Sequence, residues 1–585
     1  MRHSLLAVVA VLILCSVAAR SQQAKISAPL AQAQSGSNVN VIVRYKTAPS
    51  IEQHSKAIAG GGLVRADLGL IRSGAYTIPE SSLSKLAADP AVEFIAEDHP
   101  IHSLLDNTAA AVNAPTAWWL FGLDGSGIGI AVIDSGISNV DDLDSHRSNR
   151  IVYSQNFIHA QNAEDYFGHG EHVSGIIAGD GSDSTCFNCN RTFRGMAPGA
   201  NLIDLRVLDS KGNGSDSFVI AAIQRAIQLK NVYNIRVMNI SLGRSIFESY
   251  KTDPLCQAVE MAWKAGIVVV VAAGNDGRDN SFGNSGYGTI NSPANDPYVI
   301  TVGAMKSMGT PQRTDDRIAS YSSKGPTLID HIVKPDILAP GNRVVSLLAP
   351  LGTLAQAYPA NVVPLNYFEW TFSPAPSGKY FTLSGTSMAA PVVSGAAALL
   401  LQAHPELTPD QVKARLMLSA YKTFPTSSVA YEPTTGQSFT SYYDAFTVGA
   451  GYLDIQAALL DHHSFSGRAN SPTATYIPGN GSQAGAIKLV CGPATICAGD
   501  ASASVGNTKN FSSNVLSQFT DNSVSGSQVI WSNQVLWSNQ VLWSNQVLWS
   551  NQVIWSNQVL WSNQVLWSDS GSGSGSLKIG INGEN

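Results

Sequence analysis

The chain predicts an α/β protein with a mostly parallel central sheet and helices on both faces, three layers in all, preceded by a small α+β domain. Three observations carry that expectation. Between Gly127 and Ala304 five short, near-continuous apolar runs recur, "GIGIAVIDSGI", "ANLIDLRVLDS", "VMNISLG", "GIVVVVAAGN" and "PYVITVGAM", each bounded by Gly, Asp or Asn. Helical stretches, "GHGEHVSGIIAGD", "SFVIAAIQRAIQLKN" and "DPLCQAVEMAWKAG", fall between them. Strands that lack polar alternation and are separated by helices are buried on both faces, the mark of a parallel sheet. Finally, Ala389 to Ala403 is small or apolar all round, which suits a helix in the middle of a large core. Pro391 is tolerated there as a residue of the first turns.

Taken in order, the elements divide the chain further. Its 585 residues allow two or three domains, and 44% hydrophobic residues supply a sizeable core. Only 13% of residues are charged and the formal net charge is −6, which argues against a polyanionic partner and against nucleic-acid binding. Arg2 and His3 precede an apolar run from Leu5 to Leu14, with small residues at Val17 and Ala19. This reads as an export signal over residues 1–19, removed before Arg20. Neither that run nor any later one is long enough for a good membrane span, so the expectation is a secreted soluble protein with no transmembrane anchor.

Residues 20–104 form the expected α+β domain, with "NVNVIVRYK" and "LSKLAADPAVEFIAEDHPI" reading as strand, helix and strand. The main α/β domain spans 105–463, and a Ser/Asn/Gly-rich linker spans 464–527. Residues 528–568 repeat "WSNQVL" or "WSNQVI", and 569–585 form a Gly/Ser-rich end. A six-residue period puts Trp, Asn and Val on one strand face and Ser, Gln and Leu on the other, which suits stacked β structure, surface binding or self-association. A low-complexity tail is the bland reading of the same composition. In an oxidising compartment Cys186 with Cys189, and Cys491 with Cys497, are expected to close two small loops, leaving Cys256 as a buried thiol. The four paired cysteines make a poor zinc site because the pairs fall in different regions.

Ligands on such a sheet meet the carboxyl ends of its strands. Asp134 ends the first strand and His169 opens the helix that follows; Asn275 ends a later strand and Ser387 stands at the start of the late apolar helix. Each has a bland reading: Asp134 and Asn275 as turn residues, His169 and Ser387 as caps. Together an acid, a base, an amide donor and a hydroxyl at a helix N-terminus are the parts acyl transfer requires.

"VIDSG" around Asp134, "HGEHVSG" around His169, "AAGN" at Asn275 and "GTSMAAP" around Ser387, in the chain order Asp, His, Ser, resemble the subtilisin-type (subtilase) serine peptidases. The resemblance runs from about Pro115 to Leu460 and closes with "GAGYLDIQAAL". It implies a three-layer subtilisin-like fold and a serine endopeptidase acting on protein or peptide substrates through an acyl-enzyme. His169 would be the general base, Asp134 its orienting partner and Ser387 the nucleophile, with Asn275 and the Ser387 backbone N–H as the oxyanion donors. It further implies that Ser241, Leu242 and Gly243 on one side, and Gly214 on the other, pair with substrate backbone as added strands.

Residues 20–104 resemble the family's propeptide, a partner that plugs the cleft. Spacing from Glu97, Asp98 and His99 puts its cleavage after Leu104, with Ile101 filling an upstream pocket. Glu171 and Arg244 depart from the family pattern and are expected to alter the charge of the cleft. The chemistry requires no cofactor, although Asp180 and Asp183 are ligands of the type a structural calcium ion uses. His172 does not complete an H-E-x-x-H motif and reads as a supporting or core residue. A long insertion over residues 347–379, containing Trp370, is expected to cover the cleft. The competing functional reading is an inactive subtilase domain within a surface-binding or self-assembling protein.

Overall fold

A computed structural model describes residues 25–26, 38–97, 106–145, 148–158, 162–281, 285–432, 435–477, 486–490 and 583–584. The chain divides into two compact units, residues 1–102 and 103–585. The first unit is a four-stranded antiparallel sheet, β1 (Asn38–Tyr45), β2 (Leu63–Leu68), β3 (Ser73–Pro79) and β4 (Val92–Glu97), in the order β2-β3-β1-β4. Two helices, α1 (Ile51–Ala59) and α2 (Leu83–Ala87), accompany it. Val41, Val43, Tyr76, Ile78, Leu83, Leu86, Val92 and Ile95 form its core. The sequence reading of strand, helix and strand found β1, α2 and β4 and passed over α1, β2 and β3. In β2 no residue is fully buried, so the strand shows neither an apolar run nor a clean alternation.

The second unit is built on a mixed sheet with parallel strands at its centre. Its elements are β5 (Gly129–Asp134), β6 (Ile151–Asn156), α3 (His169–Ala178), β7 (Asn201–Arg206), α4 (Asp216–Leu229), β8 (Ile235–Ile240), α5 (Pro254–Lys264), β9 (Val268–Ala272), β10 (Ile300–Lys306), β11 (Ile337–Pro340) and α6 (Thr386–Ala403). The strands lie in the order β10-β9-β8-β5-β7-β6, with β11 and the two-residue strand Arg317–Ile318 beside β10. Every pairing among them is parallel except that of Arg317–Ile318. After β5 the chain crosses to β6 on one side, and after β7 it crosses to β8 on the other. The carboxyl end of β5 therefore stands at a switch point, where a crevice opens.

All five residues of β9 and all six of β5 are buried, which is why these strands read as unbroken apolar runs. Helix α6 packs on α3, β8, β9, β10 and β11, and Val392, Val393, Leu399, Leu400 and Leu401 are at most 1% exposed. Among the described residues α6 is the one helix long and apolar enough to cross a membrane, and 89% of that stretch is buried inside the unit. Pro391 is the sixth residue of α6, so its missing N–H is not an orphan of the first turn as the sequence suggested. It leaves the carbonyl of Ser387, four residues back, without its helical donor. The hydroxyl of Ser241 donates to that carbonyl instead, at 2.9 Å.

Cys186 and Cys189 form a disulfide, and Cys256 is a buried free thiol. Cys491 and Cys497, the signal segment, the residues around Leu104 and the hexapeptide repeats lie outside the described residues. The disulfide loop and the long insertion pack on each other: Asn190 N donates to Phe368 O and Trp370 N to Asn188 O, both at 2.8 Å. Phe193 meets the rings of Phe368 and Tyr380 edge-on, with centroids 5.4 and 4.5 Å away.

Candidate active site

Asp134 is the last residue of β5 and is 1% exposed. His169 is the first residue of α3, and its Nδ1–H donates to Asp134 Oδ1 at 2.7 Å. Burial disfavours the imidazolium, but the charge of Asp134, its hydrogen bond and the more distant charge of Asp165 outweigh burial and hold His169 above the ordinary imidazole value. Nδ1 is thereby fixed as a donor, which leaves Nε2 of the neutral ring as the proton acceptor.

Asp165 ties the Asp134 and His169 segments together. Its Oδ1 accepts from Ser135 Oγ at 2.8 Å, Gly168 N at 2.7 Å and Phe167 N at 3.0 Å, and its Oδ2 accepts from Glu171 N at 2.7 Å. Ser135 Oγ in turn accepts from Gly170 N at 2.9 Å. The residues flanking Asp134 and His169 are thus joined through one buried carboxylate. Sequence reasoning missed Asp165 because it lies in a loop, "EDYFGHG", where an acid is ordinarily a solvated turn residue. The signal available was its position just before the His motif.

Ser387 is the second residue of α6, so it is not the N-cap; that place belongs to Gly385, with φ 141°. Its Oγ donates to Ser241 O at 3.1 Å, and among the described residues no hydrogen bond joins it to His169. Asn275 Oδ1 accepts from Thr386 N at 2.9 Å and Thr386 Oγ1 at 3.1 Å. That arrangement assigns the amide oxygen and leaves Nδ2 to donate. A Cβ on Gly385 would stand 3.2 Å from Asn275 Nδ2, so the glycine leaves room in front of the amide. The Ser387 N–H lies in the first helical turn, where helical bonding does not use it.

Ser241 holds Ser387 from two sides, through its carbonyl and its hydroxyl, while Leu242 is buried beneath the surface. At Gly243 a Cβ would meet Ser292 O at 2.9 Å, and at Gly214 Val207 O at 2.6 Å; both positions are closed to a side chain. Arg244 does not charge the cleft as expected. Its guanidinium pairs with Asp216 at 2.8 Å and Asp253 at 2.9 Å, while its backbone exchanges hydrogen bonds with Ser292. Glu171 is fully buried, accepts from Ser138 N at 2.5 Å, and is pushed well above the carboxylate range by burial and by Asp165. Its carboxyl is enclosed in the core rather than set on the cleft surface. His172 is buried with Nε2–H directed at Val344 O and Phe381 O, 3.1 and 3.0 Å away; burial pushes it down to about 3, so it is a neutral core donor.

The insertion reaches the His169 side. Thr353 N and Leu354 N donate to Tyr166 O and Phe167 O at 3.1 and 3.0 Å, and Thr353 Oγ1 donates to Ser210 O at 2.6 Å. Asp180 and Asp183 do not converge on a common point suited to calcium: Asp180 faces Arg150 at 3.9 Å, and Asp183 pairs with Lys379 at 2.9 Å. The protein's own cations already serve these carboxylates, and as placed they do not fit a shared metal site.

Residues 125–450 match the model of the subtilase family of peptidases. The chain is 40% identical over 302 residues to serine protease AprX of Bacillus subtilis, covering 50% of this chain and 60% of that relative's length. It is 32% identical over 402 residues to subtilisin E of the same species, covering 68% of this chain and 83% of that relative. The crystal structure of a cold adapted subtilisin-like serine proteinase aligns at 28% identity over 54% of this chain and 89% of that one, with a TM-score of 0.37.

Proposed function

The chain belongs to the subtilase family, and on that premise we propose that it is a serine endopeptidase, exported and made with residues 20–104 as a propeptide. The observation that carries the reading is the 2.7 Å bond from His169 to Asp134 on the strand-end edge where Asn275 meets the first turn of α6. Ser387 Oγ attacks the scissile carbonyl as His169 Nε2 takes its proton. The carbonyl electrons move onto an oxyanion held by Asn275 Nδ2 and Ser387 N–H. Collapse expels the amine, which receives the proton from His169, and leaves an acyl-enzyme. Water repeats the sequence and frees the acid. Because the base must be neutral, and the charge and hydrogen bond of Asp134 raise His169 against burial, activity increases with pH through a value above the ordinary imidazole range.

Substrate would lie extended between Ser241–Gly243 and Gly214. The propeptide is proposed to end at Leu104, which would place Leu104 in the primary pocket and favour large apolar residues before the scissile bond. The hexapeptide tail is proposed to bind a surface or to self-associate, separately from catalysis. The test is covalent labelling by a fluorophosphonate together with peptide turnover. Both are expected in the parent, and both should vanish in Ser387→Ala, which also accumulates uncut precursor. Turnover that survives in Ser387→Ala would refute the nucleophile, and a precursor processed normally in that variant would refute self-maturation.

A further inference from the structure

The last described residues of the chain are seated in a site on the second unit. Glu584 is 6% exposed. Its Oε1 accepts from Ser320 N at 2.7 Å and from Ser320 Oγ, and pairs with Arg278 Nη2 at 2.9 Å. Its main chain is read as well: Glu584 N donates to Asn342 Oδ1 at 2.8 Å, and Asn342 Nδ2 donates to Glu584 O at 3.2 Å. Gly583 precedes it with φ 74°, and a Cβ there would stand 2.5 Å from Ser384 Oγ and 2.7 Å from Arg343 Cγ. The site thus selects glycine by space and glutamate by charge, while the two bonds to Asn342 hold the backbone of the segment.

The receptor side chains have partners of their own. Arg278 is also held by Glu432 at 3.2 Å and lies over the ring of Phe439 at 4.4 Å, while Ser320 and Asn342 are buried. It adjoins the catalytic edge as well. Arg278 follows Asn275 by three residues, Arg343 N donates to Ser384 Oγ at 2.8 Å, and Gly385 N donates to Gly341 O at 2.8 Å.

We propose that Arg278, Ser320 and Asn342 form a receptor for an acidic Gly-Glu segment whose resident ligand is Gly583–Glu584 of the same chain. It fastens the far end of the repeat tail to the oxyanion side of the catalytic unit. The chain is then held at Ala486–Val490, in a strand paired with Thr473–Ile477, and again at Gly583–Glu584, on either side of the repeats. The proposal does not depend on catalysis.

The test uses the full chain carrying Ser387→Ala, with a recognition sequence for an unrelated protease placed within the Ser570–Ser576 stretch. After cutting, the C-terminal fragment is expected to co-elute with the catalytic unit in gel filtration and to be displaced by a synthetic peptide of residues 577–585. Glu584→Ala and Glu584→Gln should weaken retention by at least about tenfold, since each removes the charge paired with Arg278. Arg278→Ala should do the same, with circular dichroism confirming that it remains folded. A fragment that elutes alone in the parent, or that is held equally well in Glu584→Ala, would overturn the proposal.

Discussion

Asn275 shows how much of a role can rest on the orientation of one amide. Thr386 N and Oγ1 both lie within hydrogen-bond reach of the Asn275 oxygen, which on the proposed function leaves the nitrogen to donate to the oxyanion. Asn275→Ala is expected to lower kcat by about 10²–10³-fold, roughly 2.7–4 kcal/mol, with KM nearly unchanged; steady-state kinetics on a peptide substrate checks it. Glu171 is the opposite case, a buried acid whose pKa is raised well above the carboxylate range by burial and by Asp165. With the folded pKa raised, stability from this group is complete below the unfolded carboxylate value and is lost as pH rises through the folded one. Glu171→Gln is expected to gain stability relative to the parent as pH rises, read in thermal melts across a pH series. The four residues proposed for catalysis stood out because each sits in a motif at a strand end or helix start. Asp165 did not, because its link to Ser135, 30 residues away, exists only in the fold, while its other donors, Phe167, Gly168 and Glu171, are its own neighbours in the chain.

Among the elements, α6 carries Ser387, the proposed nucleophile, at one end and the core along its length. Leu400 is 1% exposed within it, and Leu400→Ala is expected to destabilise the unit by about 2–5 kcal/mol. Because Ser387 shares that helix, melting followed by circular dichroism and loss of fluorophosphonate labelling should shift together; labelling that survived unfolding of the sheet would contradict this coupling. The central strands were readable because burial on both faces leaves apolar runs such as the "VVVVA" of β9. At the edge of the same sheet β6, "IVYSQN", is half-buried at five positions and exposed at the sixth, and its mixed composition gave no strand signal. Pro391 was read as a first-turn residue, and neither the donor it denies the Ser387 carbonyl nor the repair by Ser241 was legible, since 146 residues separate the hydroxyl from the carbonyl it serves.

Across the whole molecule, legibility fell with sequence separation. The two-unit division lies near a change of pattern that the chain displays, but the seat of Glu584 joins it to Asn342 across 242 residues, and nothing in "NGEN" announces a buried ion pair. The disulfide loop and the insertion were each noticed as additions, and their mutual packing became visible only in three dimensions. That packing leaves Phe187 fully exposed between the two bridged cysteines. On the proposed function, every secreted molecule is surrounded by copies able to digest it, and an exposed aromatic residue in a loop invites attack. A substrate must be drawn out to enter the cleft as an added strand, and three residues of strand span about 10 Å. The bridge holds the Cα atoms of Cys186 and Cys189 at 4.9 Å. The disulfide therefore acts as armour against autolysis, shaping the loop so that it cannot be threaded. Gentle reduction should open a new self-inflicted cut at or beside Phe187, seen by mass spectrometry of the fragments, while the oxidised protein stays whole there. A cut at the same rate before and after reduction would show that the bridge gives no such protection.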